Sequence, residues 1–268
     1  MDAAEYEAAL TELLRRSLFP QRFYEVVAQY REVINGVLGL AETCLSIGPG
    51  AGDVDIFLIR MFIPNLKEFH GVEVNRDLCR RLKNNMKTLQ QEIPDLEVTV
   101  HREDAQVWKG LDHKVDVIFC FDTLYNFTNT ESVLRKLQSW LKPNGVQWCT
   151  FTDSRFLTHE MRFEFKINRG DLLSVSVADI NAHLGYRNLV DIKYEAGLCL
   201  RGVNKTLLKV LLLRTPTDYE MEQFENFVQV FDEFILLFFS PDIPLRAWIP
   251  DTGYRLLLSA QPYFKCII

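Results

Sequence analysis

The stretch Leu45-Ser-Ile-Gly-Pro-Gly-Ala-Gly-Asp-Val-Asp55 decides the fold of this chain. It begins within a short, mostly apolar run of β-favouring residues at 43–47, and Gly48, Gly50 and Gly52 follow at alternate positions. The pattern predicts a buried strand, a glycine turn and a helix whose first backbone N–H groups face a ligand. Glycine suits such a turn because a Cβ would obstruct both the tight turn and the approach of the ligand.

The charges near the glycines indicate which ligand fits. The spacing is G-x-G-x-G, whereas the nicotinamide fingerprint is G-x-G-x-x-G. Asp53 and Asp55 lie just inside the predicted helix, where carboxylates would repel a pyrophosphate. A cofactor with a cationic centre and free hydroxyls fits better, and S-adenosylmethionine is the common one. The alternative is a glycine-rich strand–helix connection that holds no ligand.

Glu73 supplies a second part of the predicted site. Residues 69–74 are typical of a second strand, and Glu73 lies at its carboxyl end, about twenty residues after the glycines. An acidic side chain at this place can accept hydrogen bonds from both hydroxyls of a ribose. The alternative is a strand-end glutamate that faces water, but the glycine turn favours the ribose role.

Two further strands predict the remaining edge of the site. Residues 96–101 alternate as a third strand and lead to Asp104 and Ala105, where Asp104 is a candidate acceptor for an adenine amino group or a turn and N-cap residue. Residues 115–121 form a nearly continuous apolar strand, as expected at the centre of a parallel sheet. Ligands bind at the carboxyl edge of such sheets, so the residues after this strand are candidates for the substrate side: Asp122, Tyr125 and Asn126.

The rest of the chain predicts a single domain with four parts. Residues 1–40 form a helical cap of two helices broken at Pro20, and residues 41–200 form the cofactor-binding core. The core includes a helix over 129–141, a Lys-Pro-Asn-Gly stop at 142–145 and a strand at 146–151. It continues with a helix at 177–184 and a strand at 188–194. Residues 201–253 form a helical insertion with an aromatic stripe, and residues 254–268 form closing strands.

Composition limits the function classes. The 268 residues are 48% hydrophobic and 12% aromatic, enough for a sizeable core. The net charge of −6 argues against general attraction to nucleic acid or to an anionic membrane. Six scattered cysteines predict buried reduced thiols, without a zinc or disulfide framework. The first twelve residues are acidic and lack the apolar core of a signal peptide, so we expect a cytoplasmic protein. We also expect a monomer whose partner is a small molecule.

Motifs and their order together resemble class I S-adenosylmethionine-dependent methyltransferases, and within them histamine N-methyltransferase and its relatives. The resemblance rests on the stretch 45–55, Val72-Glu-Val74, Asp122-Thr-Leu-Tyr125 and the amino-terminal helices. It implies a Rossmann-like α/β fold with a seven-stranded, mostly parallel sheet, helices on both faces, an amino-terminal helical lid and a carboxyl-terminal helical insertion.

Site residues follow from the same resemblance. It implies cofactor contacts at Gly48, Gly50, Gly52, Glu73, Asp104, Ala105, Phe121 and Asp122. On the substrate side, the family's ammonium-binding glutamate falls on Phe19, a pocket tyrosine falls on Asn126, and an imidazole-contacting asparagine falls near Gln261. Tyr125 completes the predicted pocket. With Phe19 at that place, the resemblance implies weak turnover of histamine and better binding of a less cationic acceptor.

The implied reaction is methyl transfer to a nitrogen of an amine or imidazole-like molecule. A sulfonium donor is already activated, so the protein mainly aligns a neutral nitrogen lone pair with the methyl group and excludes water. No dedicated base is required, and the sequence predicts no particular catalytic residue. Two alternatives stay open: methylation of another small acceptor, such as a dipeptide or a phenol, or a degenerate methyltransferase fold that serves as a binding module.

Overall fold

The computed structural model of the protein describes residues 3–16, 19–152, 189–193, 204–206, 216–222 and 262–267. The chain divides into two compact units. One unit contains Met1–Ala28, Thr152–Ser174 and Lys193–Pro262, and the other contains Gln29–Phe151, Val175–Ile192 and Tyr263–Ile268. The second unit holds the glycine turn and Glu73. The single-domain organisation with boundaries at 40, 200 and 253 stays a prediction.

The helices follow the apolar periodicity of the sequence. Their bounds in chain order are α1 Ala3–Arg16, α2 Phe19–Gln29, α3 Arg31–Leu38, α4 Asp53–Phe62, α5 Arg76–Glu92 and α6 Thr130–Ser139. Within the described residues, no helix is long and apolar enough to cross a membrane. The prediction of two helices in residues 1–40 is wrong, because the chain leaves helical geometry at Tyr30 (φ −96°, ψ 16°) and starts a third helix. Pro20 lies in the first turn of α2, where its missing N–H costs nothing.

The strands form the parallel sheet that the sequence predicts. Their bounds are β1 Thr43–Ile47, β2 Glu68–Val72, β3 Glu97–His101, β4 Val115–Phe121, β5 Leu141–Thr152, β6 Leu189–Lys193 and β7 Pro262–Ile267. The order is β3-β2-β1-β4-β5-β7-β6, and parallel residue pairs join β3, β2, β1, β4 and β5. The parallel pairing therefore covers five strands, not seven, and β7 and β6 continue the order beside β5.

Strand order places the ligand-binding edge. The chain runs from β1 to β2 and β3 on one side, then returns to β4 on the other side of β1. The loops after β1 and β4 therefore diverge at a topological switch point, which is where open α/β sheets bind ligands. The sheet is anchored by fully buried large side chains, among them Leu45, Phe69, Phe119 and Trp148. The rigid core thus fixes the ends of β1, β2 and β4 relative to one another.

The Lys-Pro-Asn-Gly segment differs from its predicted role as a simple boundary between helix and strand. Val115 pairs with Leu141 and Val117 pairs with Val146, so residues 142–145 protrude from the ladder within β5. Asn144 adopts φ 68°, a conformation that asparagine tolerates better than most residues. The predicted helix over 129–141 consequently ends at Ser139, and the strand begins earlier than predicted.

Some predictions fall outside the described residues. These are the helix at 177–184, most of the aromatic stripe in 201–253 and the first part of the closing strands at 254–268. The strand at 189–193 agrees with the one predicted at 188–194, and the strand at 262–267 lies within the closing strands predicted at 254–268. Four of the six cysteines, Cys44, Cys79, Cys120 and Cys149, are buried and unpaired, as predicted.

Candidate functional site

The three glycines of the turn have positive φ values of 64°, 59° and 83°, at Gly48, Gly50 and Gly52 respectively. The sequence assigns them one shared role, but the structure gives them different neighbours. A Cβ on Gly48 would lie 2.5 Å from Thr123 Oγ1, and a Cβ on Gly52 would overlap Leu82 of α5. A Cβ on Gly50 would meet no heavy atom within 4 Å. Only Gly50 therefore borders open space that a ligand can fill.

Glu73 lies directly after β2 and faces this turn. Its Oε2 accepts from the Gly50 N–H (3.1 Å), and its Oε1 accepts from the Asn75 N–H (2.8 Å). Burial raises the pKa of the Glu73 carboxyl, while the backbone N–H groups of Asn75, Gly50 and Val74 offset part of that rise. An ionised carboxylate has about four acceptor positions, so at least one stays available for a ribose hydroxyl. The site fits the ribose of a nucleoside cofactor.

Asn75 is a site residue that the sequence analysis misses. Its side-chain oxygen accepts from the N–H groups of Asp77 (2.9 Å) and Leu78 (3.2 Å), and so caps the start of α5. Its own N–H donates to Glu73. The cap therefore fixes the carboxylate against the helix that follows β2. An asparagine directly before the helical periodicity of α5 is the signal that could have identified it.

The end of β4 borders the glycine turn from the side opposite β2, since Thr123 lies against Gly48. We call the open space beside Gly50 and Glu73 the cofactor crevice. Asp122 follows the strand with φ 46°, and its N–H donates to the Thr150 carbonyl (2.9 Å). Burial raises the pKa of the Asp122 carboxyl to about 6, and the Thr150 hydroxyl offsets part of the rise. The next residue, Thr123, is buried and lies against Gly48. Because positive φ is unusual for aspartate, this geometry marks Asp122 as a candidate functional residue.

The remaining predicted cofactor residues, Phe121, Ala105 and Asp104, differ in their burial and in their contacts. Phe121 ends β4, and its ring lies 5.0 Å from the Phe119 ring. Ala105 is buried. Asp104 is exposed, and its Oδ1 accepts from the Gln106 N–H at 2.8 Å, which is the turn role that the sequence leaves open. Its assignment to an adenine amino group stays a prediction.

The predicted substrate residues are only partly described. Tyr125 and Asn126 belong to a short 3-10 turn, Leu124–Asn126, directly after the β4 edge, and Asn126 is exposed. Phe19 is the first residue of α2. The side chains of Phe19 and Tyr125, and Gln261 as a whole, fall outside the described part of the chain. Their roles in binding an acceptor stay predictions.

Asp55 differs from the sequence interpretation. The sequence predicts that Asp53 and Asp55 both lie near the ligand, but Asp53 is exposed whereas Asp55 is only 1% exposed. In the described residues, Asp55 Oδ1 and the hydroxyl of Ser46 on β1 are buried without a hydrogen-bond partner. Burial raises the pKa of the Asp55 carboxyl to about 7. Asp55 is therefore a buried group beneath the turn.

The comparisons with known proteins agree with this geometry. Residues 45–147 match the family model of a methyltransferase domain. The YcgJ protein of Bacillus subtilis is 16% identical with a TM-score of 0.57, over 91% of this chain and 98% of its own. A candidate methyltransferase of Bacillus halodurans is 11% identical with a TM-score of 0.59, over 89% and 96%. No curated protein matches the chain.

The fold is thus that of the Rossmann-like class I methyltransferases, with the candidate site at the switch point of its sheet. The methyltransferase-domain match over residues 45–147, less than half of the chain, contains the glycine turn, Glu73 and the β4 edge. At these identities the solved structures show the fold alone. The resemblance to histamine N-methyltransferase stays a prediction.

We expect Glu73→Ala to weaken S-adenosylmethionine binding by at least about tenfold. Each lost charge-assisted hydrogen bond to a ribose hydroxyl contributes about 1.5–3 kcal/mol, so even partial replacement by water leaves a measurable deficit. Isothermal titration calorimetry measures the affinity, and circular dichroism checks that the fold is retained. Glu103→Ala, an exposed glutamate beyond β3, is the matched control and should bind as the native chain does. Equal affinities of the Glu73 variant and the native chain would contradict the ribose assignment.

Proposed function

We propose that the chain transfers the methyl group of S-adenosylmethionine to a nitrogen of a small amine or imidazole-like molecule. The observation that carries the proposal is the crevice between Gly50, Glu73 and the β4 edge, where open space adjoins a buried carboxylate. When bound there, S-adenosylmethionine supplies an activated methyl group on a cationic sulfur. Gly50 leaves room for it, and Glu73 holds its ribose.

Asp122 is the residue that supports a nitrogen acceptor. An amine nitrogen must be neutral to attack, and it gains positive charge as the new bond forms. A carboxylate beside it can accept an N–H hydrogen bond and then the departing proton. Burial raises the pKa of Asp122 to about 6, which brings it closer to working pH and makes it a better base than an ordinary aspartate. We therefore assign Asp122 the roles of orienting the acceptor and accepting its proton.

The acceptor itself follows from the charges available. Asp122 balances the single positive charge that develops on the nitrogen, so an additional ammonium on the acceptor would need a second carboxylate. By the family resemblance that second position holds Phe19. We accordingly propose a substrate with one uncharged nucleophilic nitrogen and an apolar remainder. In a panel of amines, imidazoles and dipeptides, histamine should be a poorer substrate than an imidazole without the ammonium tail.

We expect Asp122→Asn to lower kcat by about 10²–10⁴, the usual contribution of a positioned general base. The amide keeps the shape but cannot take a proton. In the native chain, protonation of Asp122 should lower the rate below about pH 6, because protonated Asp122 no longer accepts. In the variant, only the fall caused by protonation of the acceptor itself should remain. Product formation from isotopically labelled cofactor, read by mass spectrometry across pH, measures both effects.

Asp95→Asn is the matched control for this substitution, since Asp95 is an exposed aspartate just before β3, at the end of the sheet away from the glycine turn. It should retain the native rate and pH profile. If Asp122→Asn keeps the native kcat and profile, Asp122 is not the acceptor's base. If S-adenosylmethionine binds but no member of the panel is methylated, the function is cofactor binding without this transfer reaction.

A further inference from the structure

A cluster of metal-ligating side chains lies at the end of the sheet opposite the cofactor crevice. Glu68 and His70 belong to the first half of β2, and His113 comes two residues before β4. One ligand atom from each of the three lies within 4.8 Å of the other two. We propose that Glu68, His70 and His113 form a binding site for a divalent transition-metal ion, with Zn²⁺ as its best occupant.

The distances agree with a tetrahedral ion. Glu68 Oε2 lies 3.5 Å from His70 Nε2 and 3.1 Å from His113 Nε2. Around Zn²⁺ with bonds of about 2.0–2.1 Å, neighbouring tetrahedral ligands are about 3.3 Å apart. The distances from Glu68 to His70 and to His113 are slightly longer and slightly shorter than this value, respectively. Two imidazoles and one carboxylate are a known ligand set for Zn²⁺, and they leave a fourth position for water.

Surrounding groups hold the histidines in a suitable orientation. Asp112 Oδ1 lies 2.9 Å from His113 Nδ1, so an Nδ1–H that donates to Asp112 leaves the Nε2 lone pair directed toward Glu68. A carboxylate behind a ligating histidine is the common arrangement in zinc proteins. The His70 ring stacks on the His101 ring at 5.8 Å, and His101 lies 5.0 Å from Trp108. The imidazole of His70 is therefore held by packing, and that of His113 by Asp112, before any ion binds.

The site is accessible and separate from the cofactor crevice. The side chains of Glu68 and His113 are 38% and 43% exposed, so an ion can reach them from solvent. Glu73 lies five residues beyond Glu68, or about 16 Å along an extended strand. β2 and β4 flank β1 in the sheet. A bound ion would therefore link β2 to the segment before β4 across the start of β1. Its expected effect is to stabilise the sheet, without direct participation in methyl transfer.

Titration of Zn²⁺ into the chelator-treated full chain tests the proposal by calorimetry. The native chain should bind one more equivalent than His113→Ala, and Glu68→Gln should lose the same equivalent or weaken it by at least about tenfold. Asp112→Asn should keep the stoichiometry and weaken binding by about 10–100-fold, the usual effect of removing such a partner. Zn²⁺ should raise the unfolding midpoint of the native chain but not that of His113→Ala.

Glu97→Gln is the matched control. Glu97 is exposed and pairs with Glu68 in the β2–β3 register, so this variant makes the same charge change at the same sheet edge. It should bind Zn²⁺ as the native chain does, and all variants should bind S-adenosylmethionine with native affinity. Equal Zn²⁺ binding by the native chain, His113→Ala and Glu68→Gln would overturn the proposal. An equal loss in Glu97→Gln would overturn it too, because the attraction would then be general charge at this edge.

Discussion

Gly50→Val is expected to weaken the binding of S-adenosylmethionine by roughly a hundredfold or more while the protein stays folded. The valine side chain would enter the open space beside the turn, where an added Cβ has no heavy atom within 4 Å. Steric overlap with a ligand costs about 1–3 kcal/mol, and the β-branched residue also resists a φ of 59°. Together these effects predict a loss of affinity of roughly a hundredfold or more. Calorimetry measures the affinity, and thermal unfolding checks the fold.

Two other glycines make this prediction specific. Gly36 of α3 also has nothing within 4 Å of an added Cβ, but its φ is not positive and it is far from the turn in sequence. Gly36→Val should therefore keep native affinity. Gly52→Val should act through stability, because its side chain would overlap Leu82 within the core. If Gly50→Val binds S-adenosylmethionine normally, the space beside Gly50 does not belong to the cofactor site.

The buried Asp55 is expected to lower the free energy of unfolding of the protein as pH rises from about 4 to 7. Asp55→Asn should remove this pH-dependent decrease. Burial raises the pKa of Asp55 from its ordinary 3.8 to about 7 in the folded chain. Between these values the unfolded chain loses the proton and the folded chain keeps it, so rising pH favours unfolding. At 1.36 kcal/mol per pKa unit, the difference is on the order of 4 kcal/mol.

Urea unfolding at several pH values measures this effect as the difference between the native chain and the variant. The free energy of unfolding of Asp55→Asn, minus that of the native chain, should increase as pH rises to about 7. Above about pH 7 this difference should stay constant. Asp53→Asn makes the same substitution on the exposed side of the same helical turn and should follow the native curve. Parallel curves for Asp55→Asn and the native chain would show that Asp55 is not a buried neutral carboxyl at low pH.

The sequence predicts the central strands to the residue. The bounds of β1 at 43–47 and β4 at 115–121 are those predicted, because a strand buried on both faces is read from a continuous apolar run. The segment at 142–145 is predicted less well. Proline and glycine indicate a break in regular structure, but they do not show that Leu141 already pairs with Val115 across the sheet. That pairing is a tertiary contact, which local composition does not encode.

In the candidate site, too, the sequence predicts local positions but not the contacts between residues that are distant in sequence. The position of Glu73 follows from its spacing after the glycines, but its hydrogen bond from Gly50 depends on how two loops meet. The different neighbours of the three glycines, the burial of Asp55 and the approach of His113 to Glu68 likewise join residues distant in sequence. Periodicity and motif spacing carry no information about such contacts. They become visible only when the strand order is known.

The most direct test of the account is calorimetric titration of the native chain with S-adenosylmethionine. The central claim is that the Gly50–Glu73 crevice holds this cofactor, so we predict saturable binding of one molecule per chain. Binding should be displaced by the demethylated product, S-adenosylhomocysteine, which keeps the ribose and adenine. A folded native chain that binds neither compound would contradict the claim, and the fold would then serve a function other than methyl transfer.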